Sequence, residues 1–125
     1  MGYYTGYSLT VRGKNITKEL AERIVSALKN RKVCNYALNE EYYLSKDGKS
    51  MELDGTDIVK WYEHTTDMES VSTMFPELVF CLHGEGEENG DLWNEYYQNG
   101  LSEYCKGYVA YEEPVNIKWN QVESK

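Results

Sequence analysis

The sequence predicts an α+β domain, with a mainly antiparallel sheet of six to seven strands and two helices packed on one face. Short segments of alternating polarity are separated by Asp-Gly and Asn-Gly steps, which are typical of antiparallel hairpins. Only two segments show the spacing of amphipathic helices. Two such helices cannot cover both faces of six or more strands, so one face is expected to stay open. The 125 residues suit a single domain and contain no segment long enough to be a linker.

The N-terminal part of the chain is expected to form a strand, a helix and a second strand. Residues 7–12, YSLTVR, alternate between apolar and polar side chains, as a half-buried strand does. Over residues 17–29 the apolar side chains fall on one stripe of an amphipathic helix, which Asn15 or Thr17 can cap. Residues 33–38, VCNYAL, are expected to form a short strand.

The middle of the chain is expected to form a hairpin, a strand and a second helix. The hairpin, EYYLSKDGKSMEL (41–53), contains Asp47-Gly48, the signal of a type I′ turn with positive φ at both positions. IVKWYE (58–63) is expected to be a strand that leads into the helix. Residues 66–69 have the spacing of a capping box, and Pro76 marks the end of the helix.

The remaining segments predict a run of strands. ELVFCLH (77–83) is apolar on both faces and fits a central strand. DLWNEYYQ (91–98) and LSEYCKGYVAYEE (101–113) flank Asn99-Gly100, another hairpin signal. VNIKWN (115–120) can add an edge strand. The expected order is therefore β-α-β-β followed by β-α-β-β, of ferredoxin-like character.

Charge is distributed unevenly along the chain. Residues 1–35 hold seven Lys and Arg against two acids, a net charge of +5, whereas residues 36–125 have a net charge of −13. Phosphates would be repelled by most of such a surface, so no direct nucleic-acid partner is expected and a basic protein surface is favoured. Solubility alone is the simpler explanation of the same charge.

The sequence also bears on location. It has no run of 18 apolar residues and no secretory signal at its start, so no membrane association is expected. Three cysteines, far apart and odd in number, are typical of reduced thiols. These features predict a cytoplasmic protein.

An acidic, glycine-rich segment, HGEGEENGDLW (83–93), is the first candidate site. Its carboxylates lack the order of an EF-hand loop, and one histidine with scattered acids is a poor zinc set. A flexible turn is also a poor holder for catalytic groups, which need fixed geometry. We therefore expect no metal here and no catalytic residue. A solvated hairpin connection and an acidic recognition surface are the two remaining interpretations.

Tyrosine-rich strands follow the acidic segment. Tyrosine and tryptophan are common at protein interfaces, but tyrosine is also a good strand former that packs in cores, and both interpretations stay open. Together the acidic segment and these strands predict a partner-binding surface. Its members are Glu85, Glu87, Glu88, Asp91, Trp93, Glu95, Tyr96, Tyr97, Glu103, Tyr104 and Tyr108.

Other catalytic motifs are absent from the sequence. Cys81 and His83 lie two positions apart on one predicted strand and so share a face, about 6–7 Å apart. A thiolate–imidazole pair needs closer contact and a third residue, so a buried thiol beside a rim histidine is expected instead. No phosphate-binding glycine loop, nucleophile elbow or H-E-x-x-H motif occurs, and no cofactor is expected.

Residues 59–100 resemble a group of small uncharacterised proteins of tailed phages and prophages. The shared features are a W-Y-x-H-x-x-D-M start, a short helix ending in F-P, an apolar strand, G-E-G-E-E-N-G-D-x-W and Y-x-x-N-G. The resemblance implies a bacterial cytoplasm during infection or lysogeny. It implies no assigned activity, and only analogy connects small acidic phage proteins with the binding of host defence factors.

The favoured function is a non-enzymatic, acidic, phage-type protein that inhibits a host protein. The expected target is a nucleic-acid-binding defence factor, in the manner of an anti-CRISPR decoy. The alternative is a small-ligand or nucleotide-binding protein, for which the basic first helix and Arg12 could supply the charge. A metal-dependent hydrolase that uses the acidic segment and a structural accessory are further options. A homodimer is possible in each case.

Overall fold

The computed structural model describes residues 4–88 and 90–107 and contains one six-stranded antiparallel sheet with two helices. The elements, in chain order, are β1 (Thr5–Arg12), α1 (Lys18–Asn30), β2 (Tyr43–Leu44), β3 (Ser50–Leu53), α2 (His64–Thr73), β4 (Val79–Gly86), β5 (Leu92–Gln98) and β6 (Leu101–Lys106). The strands are arranged in the order β2-β3-β1-β4-β5-β6. The predicted α+β class is confirmed. No helix in the described part of the chain is long and apolar enough to span a membrane.

The first four strands have the ferredoxin-like arrangement. One helix follows β1 and the other follows β3, and β1 lies between β3 and β4 with antiparallel pairing to both. The chain then adds β5 and β6 beyond β4 as two further antiparallel strands. Strand β6 forms the edge of the sheet on this side, and all six of its residues are exposed.

A single hydrophobic core lies between the helices and one face of the sheet. In β1 the buried residues alternate with partly exposed ones, and the register places Leu9 beside Leu53 and Leu82 on the buried face. Both helices contribute to the same cluster, α1 through Ile24 and Leu28 among others. Each fully buried side chain of this size stabilises the fold by about 1.5–3 kcal/mol. The core therefore explains why both helices lie on one face.

Helix α1 forms as its sequence predicts. Its apolar stripe is buried, and the Thr17 side chain accepts a hydrogen bond from the backbone N–H of Leu20 at 3.1 Å. This N-cap contact satisfies one of the amide groups that a helix start leaves without an intrahelical partner.

Three local predictions were wrong. Residues 33–38 form a turn with isolated bridges, because the chain reverses at two residues with positive φ, Lys32 and Asn35. Residues 58–63 make only one bridge, between Val59 and Thr5. Helix α2 begins at His64, ahead of the predicted capping box, and has no side-chain cap. Tertiary contacts decide the backbone in all three segments.

The predicted turns are present, with one difference in type. Asn99 and Gly100 have φ values of 49° and 84°, as a type I′ turn requires. At the other hairpin only Gly48 has a positive φ, so the type I′ prediction was wrong there. Ser45 closes that longer loop, since its hydroxyl accepts the backbone N–H of Lys49 at 3.1 Å. The predicted continuation of β6 past Gly107 and the edge strand at 115–120 lie outside the described residues.

Candidate functional site

The structure divides the predicted partner-binding residues among three places. Those on the open face of the sheet, opposite the helices, are Glu85, Tyr96 and Glu103. Those on the helix side are Trp93, Glu95, Tyr97 and Tyr104. Those in the turn between β4 and β5 are Glu87, Glu88 and Asp91. Tyr108 lies outside the described residues.

Three of these residues are buried, which corrects their assignment to a partner surface. Trp93, Glu95 and Tyr97 are only 7%, 6% and 1% exposed. They occupy alternate positions of β5, and this side of the strand packs against α2 and β4. Because strand side chains alternate between faces, all three turn inward together. Their burial stabilises the fold.

Glu95 is the centre of a buried polar network. Its Oε1 accepts hydrogen bonds from the hydroxyls of Tyr97 and Thr65, the latter at 2.7 Å, and lies 3.0 Å from Nδ1 of His64. Burial, and then the neighbouring Glu95 carboxylate, raise the pKa of Tyr97 far above its usual range, so the phenol stays protonated as a donor. A buried carboxylate with several donors avoids the cost of an unpaired charge.

The sequence interpretation missed His64 and Thr65 in this network. Both lie at the start of α2, 31 and 30 positions before Glu95 in sequence. The only available signal was a glutamate at an inward position of a strand, since Glu is rarely buried without partners. The Thr65 hydroxyl donates to Glu95 and so belongs to the same buried network.

An aromatic cluster covers the Glu95 network. The His64 ring stacks on Trp93 with centroids 4.9 Å apart, and Trp93 stacks in turn on the exposed ring of Tyr104 at 5.7 Å. Tyr7 meets both Trp61 and Trp93 edge-on. Such aromatic pairs add about 0.5–1.5 kcal/mol each beyond the area that they bury.

Gly84 makes room for this cluster. A Cβ at Gly84 would lie 2.2 Å from two atoms of the Trp93 indole, which is far inside a van der Waals contact. The two residues are direct neighbours across β4 and β5. One glycine of the acidic segment is thus explained by packing.

Other residues of the conspicuous 59–100 segment also have structural contacts. Trp61 donates its Nε1–H to Asp67 at 2.8 Å, and Asp67 also pairs with Arg31 at 3.2 Å. The backbone N–H of Gly100 donates to the Ser72 hydroxyl at 2.8 Å. These contacts join α2 to α1 and to the β5–β6 turn, so much of this segment holds the fold together.

The open face carries a separate polar group of side chains. His83 lies 2.8 Å from Oδ1 of Asn94 through Nδ1 and 3.2 Å from Glu85 through Nε2. The Asn94 amide nitrogen in turn lies 3.5 Å from the Tyr96 hydroxyl. Cys81 shares this face, but burial raises the pKa of its thiol, which disfavours the nucleophilic thiolate. The group therefore has the character of a hydrogen-bonding surface.

The acidic segment is shorter than the sequence indicated. Strand β4 runs through Glu85 to Gly86, and the backbone N–H of Gly86 donates to Asp91 at 2.8 Å to close the turn. The Asp91 carboxylate pairs with Lys106 at 3.3 Å. Within residues 4–88 and 90–107, no three side chains of His, Cys, Asp or Glu gather closely enough to hold a metal ion.

Negative charge dominates the surface that residues 36–107 form. Residues 36–107 contain sixteen Asp and Glu against four Lys, a net charge of −12. Glu95 is the one buried acid among the described residues, so the other fifteen acids reach solvent at least in part. Their charge is spread over loops, α2, the acidic turn and the open face.

The comparisons with known proteins give no relative for this chain. No protein-family model matches it, and neither a curated protein nor a solved structure shows significant similarity.

Proposed function

We propose that the chain is a non-enzymatic protein that binds a basic surface of another protein and competes there with nucleic acid. The observation that carries this proposal is the −12 charge of residues 36–107, of which only one carboxylate is buried. A surface of this sign is complementary to the Lys and Arg with which nucleic-acid-binding proteins contact phosphates. It attracts such a partner and repels nucleic acid itself.

The open face of the sheet is the surface that we assign to this contact. Three acids, Glu52, Glu85 and Glu103, project from it, and Arg12 is the one Lys or Arg on the described strands of this face, diagonally beside Glu52. Six strands about 4.8 Å apart and averaging five to six residues span on the order of 500 Å². Stable interfaces bury about 800 Å² per partner, so the acidic turn beside the face must contribute as well.

The resemblance to phage and prophage proteins directs the search for a partner. It suggests a bacterial host protein with a nucleic-acid-binding surface, such as a CRISPR effector or another defence nuclease. An inhibitor of this kind needs no active site, because occupying the basic surface is enough to exclude the natural ligand.

Capture at two salt concentrations tests the proposal. The tagged chain is incubated with a bacterial lysate at about 50 mM and about 500 mM salt, and bound proteins are identified by mass spectrometry. We expect nucleic-acid-binding proteins to be enriched at low salt and released by added DNA, because exposed charges are screened at high salt. Capture that is indifferent to both salt and DNA would contradict the proposal. A variant in which Glu52, Glu85 and Glu103 are changed to Gln is the matched control, because it lacks the acids of the assigned surface and should capture less.

A second candidate function is the binding of a small anionic ligand with an aromatic ring, such as a nucleotide. A cleft of about 520 Å³ lies beside the end of α1, and Lys32, Lys60 and the exposed Tyr36 line it. Lysines and stacking rings are what such a ligand requires. Glu63 and Asp67 also line this cleft, and their charge places this function second.

Titration of tryptophan fluorescence tests the second candidate. A nucleotide that enters the cleft would come close to Trp61, which lines the cleft and is 5% exposed, and would change its emission. We expect saturable quenching that a Lys32→Ala and Lys60→Ala double variant loses. An unchanged spectrum across adenine and guanine nucleotides would remove this candidate.

A further inference from the structure

A cleft of about 460 Å³ opens on the open face of the sheet, where β1 begins. Its floor includes Gly6 and Ser8. One wall is the segment 55–58, which lies beside β1 because Val59 and Thr5 exchange backbone hydrogen bonds of 2.9 and 3.0 Å. The other wall carries His83 and Glu85 of β4, the direct neighbours of Ser8 and Gly6 across the strands. Glycines keep the floor low, and this leaves the cleft open to solvent.

The cleft has carboxylates on both walls. Asp57 contributes one from the 55–58 segment, and the Glu85 side chain, 66% exposed, contributes the other. None of the described residues that line the cleft is a Lys or Arg. Ile58, 54% exposed, adds an apolar surface beside Asp57. The site is therefore built for a cation that also carries an apolar stem.

We propose that this cleft binds an arginine side chain of the protein partner, an inference that rests on the function proposed above. A guanidinium is planar and presents several N–H donors in fixed directions, so it can bond to carboxylates on two sides at once. Its methylene stem would lie on Ile58, as the stems of long cationic side chains do on apolar surfaces. A lysine ammonium is a compact point charge and uses such a site less completely.

His83 is the neighbour of Glu85 on the cleft wall. Its Nε2 lies 3.2 Å from Oε2 of Glu85, and its Nδ1 lies 2.8 Å from Oδ1 of Asn94. An arginine that enters the cleft would take the place of the imidazole beside Glu85.

Gly6 offers a way to fill the cleft without changing its charge. A Cβ at Gly6 would lie 3.7 Å from Cγ2 of Ile58 and 4.0 Å from the backbone oxygen of Glu85, which are ordinary contacts. An alanine there fits the fold and occupies part of the floor. At Gly55, in contrast, a Cβ would lie 2.1 Å from the backbone oxygen of Tyr7, so that position cannot serve.

The test compares hexa-arginine with hexa-lysine as probes of the full chain, by calorimetry at low salt. We expect the unmodified chain to bind hexa-arginine about tenfold more tightly than hexa-lysine, a difference of about 1.4 kcal/mol. Asp57→Asn, Glu85→Gln and Gly6→Ala should each bring this ratio towards one. Glu103→Gln makes the same charge change on the same face, and it should weaken both peptides equally and keep the ratio.

The outcomes separate this inference from the proposed function. A ratio near one in the unmodified chain, or equal ratios in Glu85→Gln and Glu103→Gln, would overturn the arginine site. If salt-sensitive capture of a basic protein then persisted, the proposed function would still stand. If neither peptide bound and no basic protein were captured, both would fail. Circular dichroism of each variant confirms that the fold is retained.

Discussion

The two faces of β5 differ more than any other neighbouring surfaces of the described chain. On the helix side, Trp93, Glu95 and Tyr97 are buried in one network of aromatic and polar contacts. On the open side, Asn94 and Tyr96 remain partly exposed beside His83. Polar and aromatic residues occur on both faces of this short strand. Residue type therefore does not distinguish a core position from a surface position here. The side chains that each residue contacts make that distinction.

The comparison also changes how the conspicuous residues of segment 59–100 are interpreted. Trp93 and Gly84 fit together as a packing pair, and Asp67 of α2 accepts from Trp61 and pairs with Arg31 at the end of α1. The acids that reach solvent, such as Glu85, lie on the opposite face or in the turn. A residue on the helix side should thus affect stability when it is changed, whereas a residue on the open face should affect binding.

Removal of the Glu95 carboxylate should have the largest effect. Glu95→Ala leaves the donors of Tyr97, Thr65 and His64 without their acceptor. Each buried group that loses its partner costs about 1–3 kcal/mol, so we expect the free energy of unfolding to fall by about 3 kcal/mol or more. Urea denaturation measures the change. The exposed Glu103→Ala should stay within about 0.5 kcal/mol of the unmodified chain, and equal losses would contradict the contrast.

Adding one methyl group should have the next largest effect, and its effect on stability should differ between the two faces. Gly84→Ala forces the Trp93 indole to move, and overpacking of this kind costs about 1–3 kcal/mol. Gly6→Ala, on the open face, meets only ordinary contacts and should change stability by less than about 0.5 kcal/mol. Unfolding curves and tryptophan emission of the two variants form the measurement. A stable Gly84→Ala with unshifted emission would show that the indole is not held as described.

Alkaline pH should lower the free energy of unfolding through two buried groups, Cys34 and Tyr97. Burial raises the pKa of the Cys34 thiol from 9.0 to about 11, and burial with Glu95 raises that of Tyr97. The unfolded chain then loses these protons before the folded chain does, so the stability they contribute is complete below about pH 9 and falls as pH rises. Urea unfolding at pH 8, 9 and 10 should show this decline. Cys34→Ala should reduce its slope between pH 9 and 10, and an unchanged slope would contradict the assignment.

Thiol labelling provides the mildest probe, because it leaves the fold unchanged. Cys81 and Cys105 both lie on the open face, yet Cys81 is buried and Cys105 on β6 is exposed. Burial also raises the pKa of Cys81, which lowers its thiolate fraction. We expect an aromatic disulfide reagent at pH 8 to react with Cys105 first. Peptide mass spectrometry identifies the labelled thiol, and faster labelling of Cys81 would show that this face is more open near β4.

Much of the fold followed from local sequence signals. The alternation in 7–12 and the apolar stripe over 17–29 predict β1 and α1 closely, because each pattern matches one backbone period. Asn99-Gly100 sets its turn through backbone geometry alone. The segments 33–38 and 58–63 carry strand-like residues as well, but the sheet offers each of them no more than isolated bridges. Strand propensity needs a neighbouring edge to act upon.

The candidate site was less predictable than the fold. Exposure of Glu85 and of the acidic turn agrees with the predicted recognition surface, but burial of Trp93, Glu95 and Tyr97 removes the centre of that prediction. Both alternating sets in β5 contain an aromatic residue, so alternation alone cannot show which set faces the core.

The sequence by itself determined the α+β class, the helix α1, the hairpin positions and the uneven charge, because each depends on neighbouring residues or on composition. Only the tertiary structure decided which face of β5 is buried, that His64 and Thr65 meet Glu95, and that Asp57 lies across a cleft from Glu85. These contacts join residues about 30 positions apart. Their formation depends on how the whole sheet and both helices bury apolar surface together, and no local pattern records that outcome.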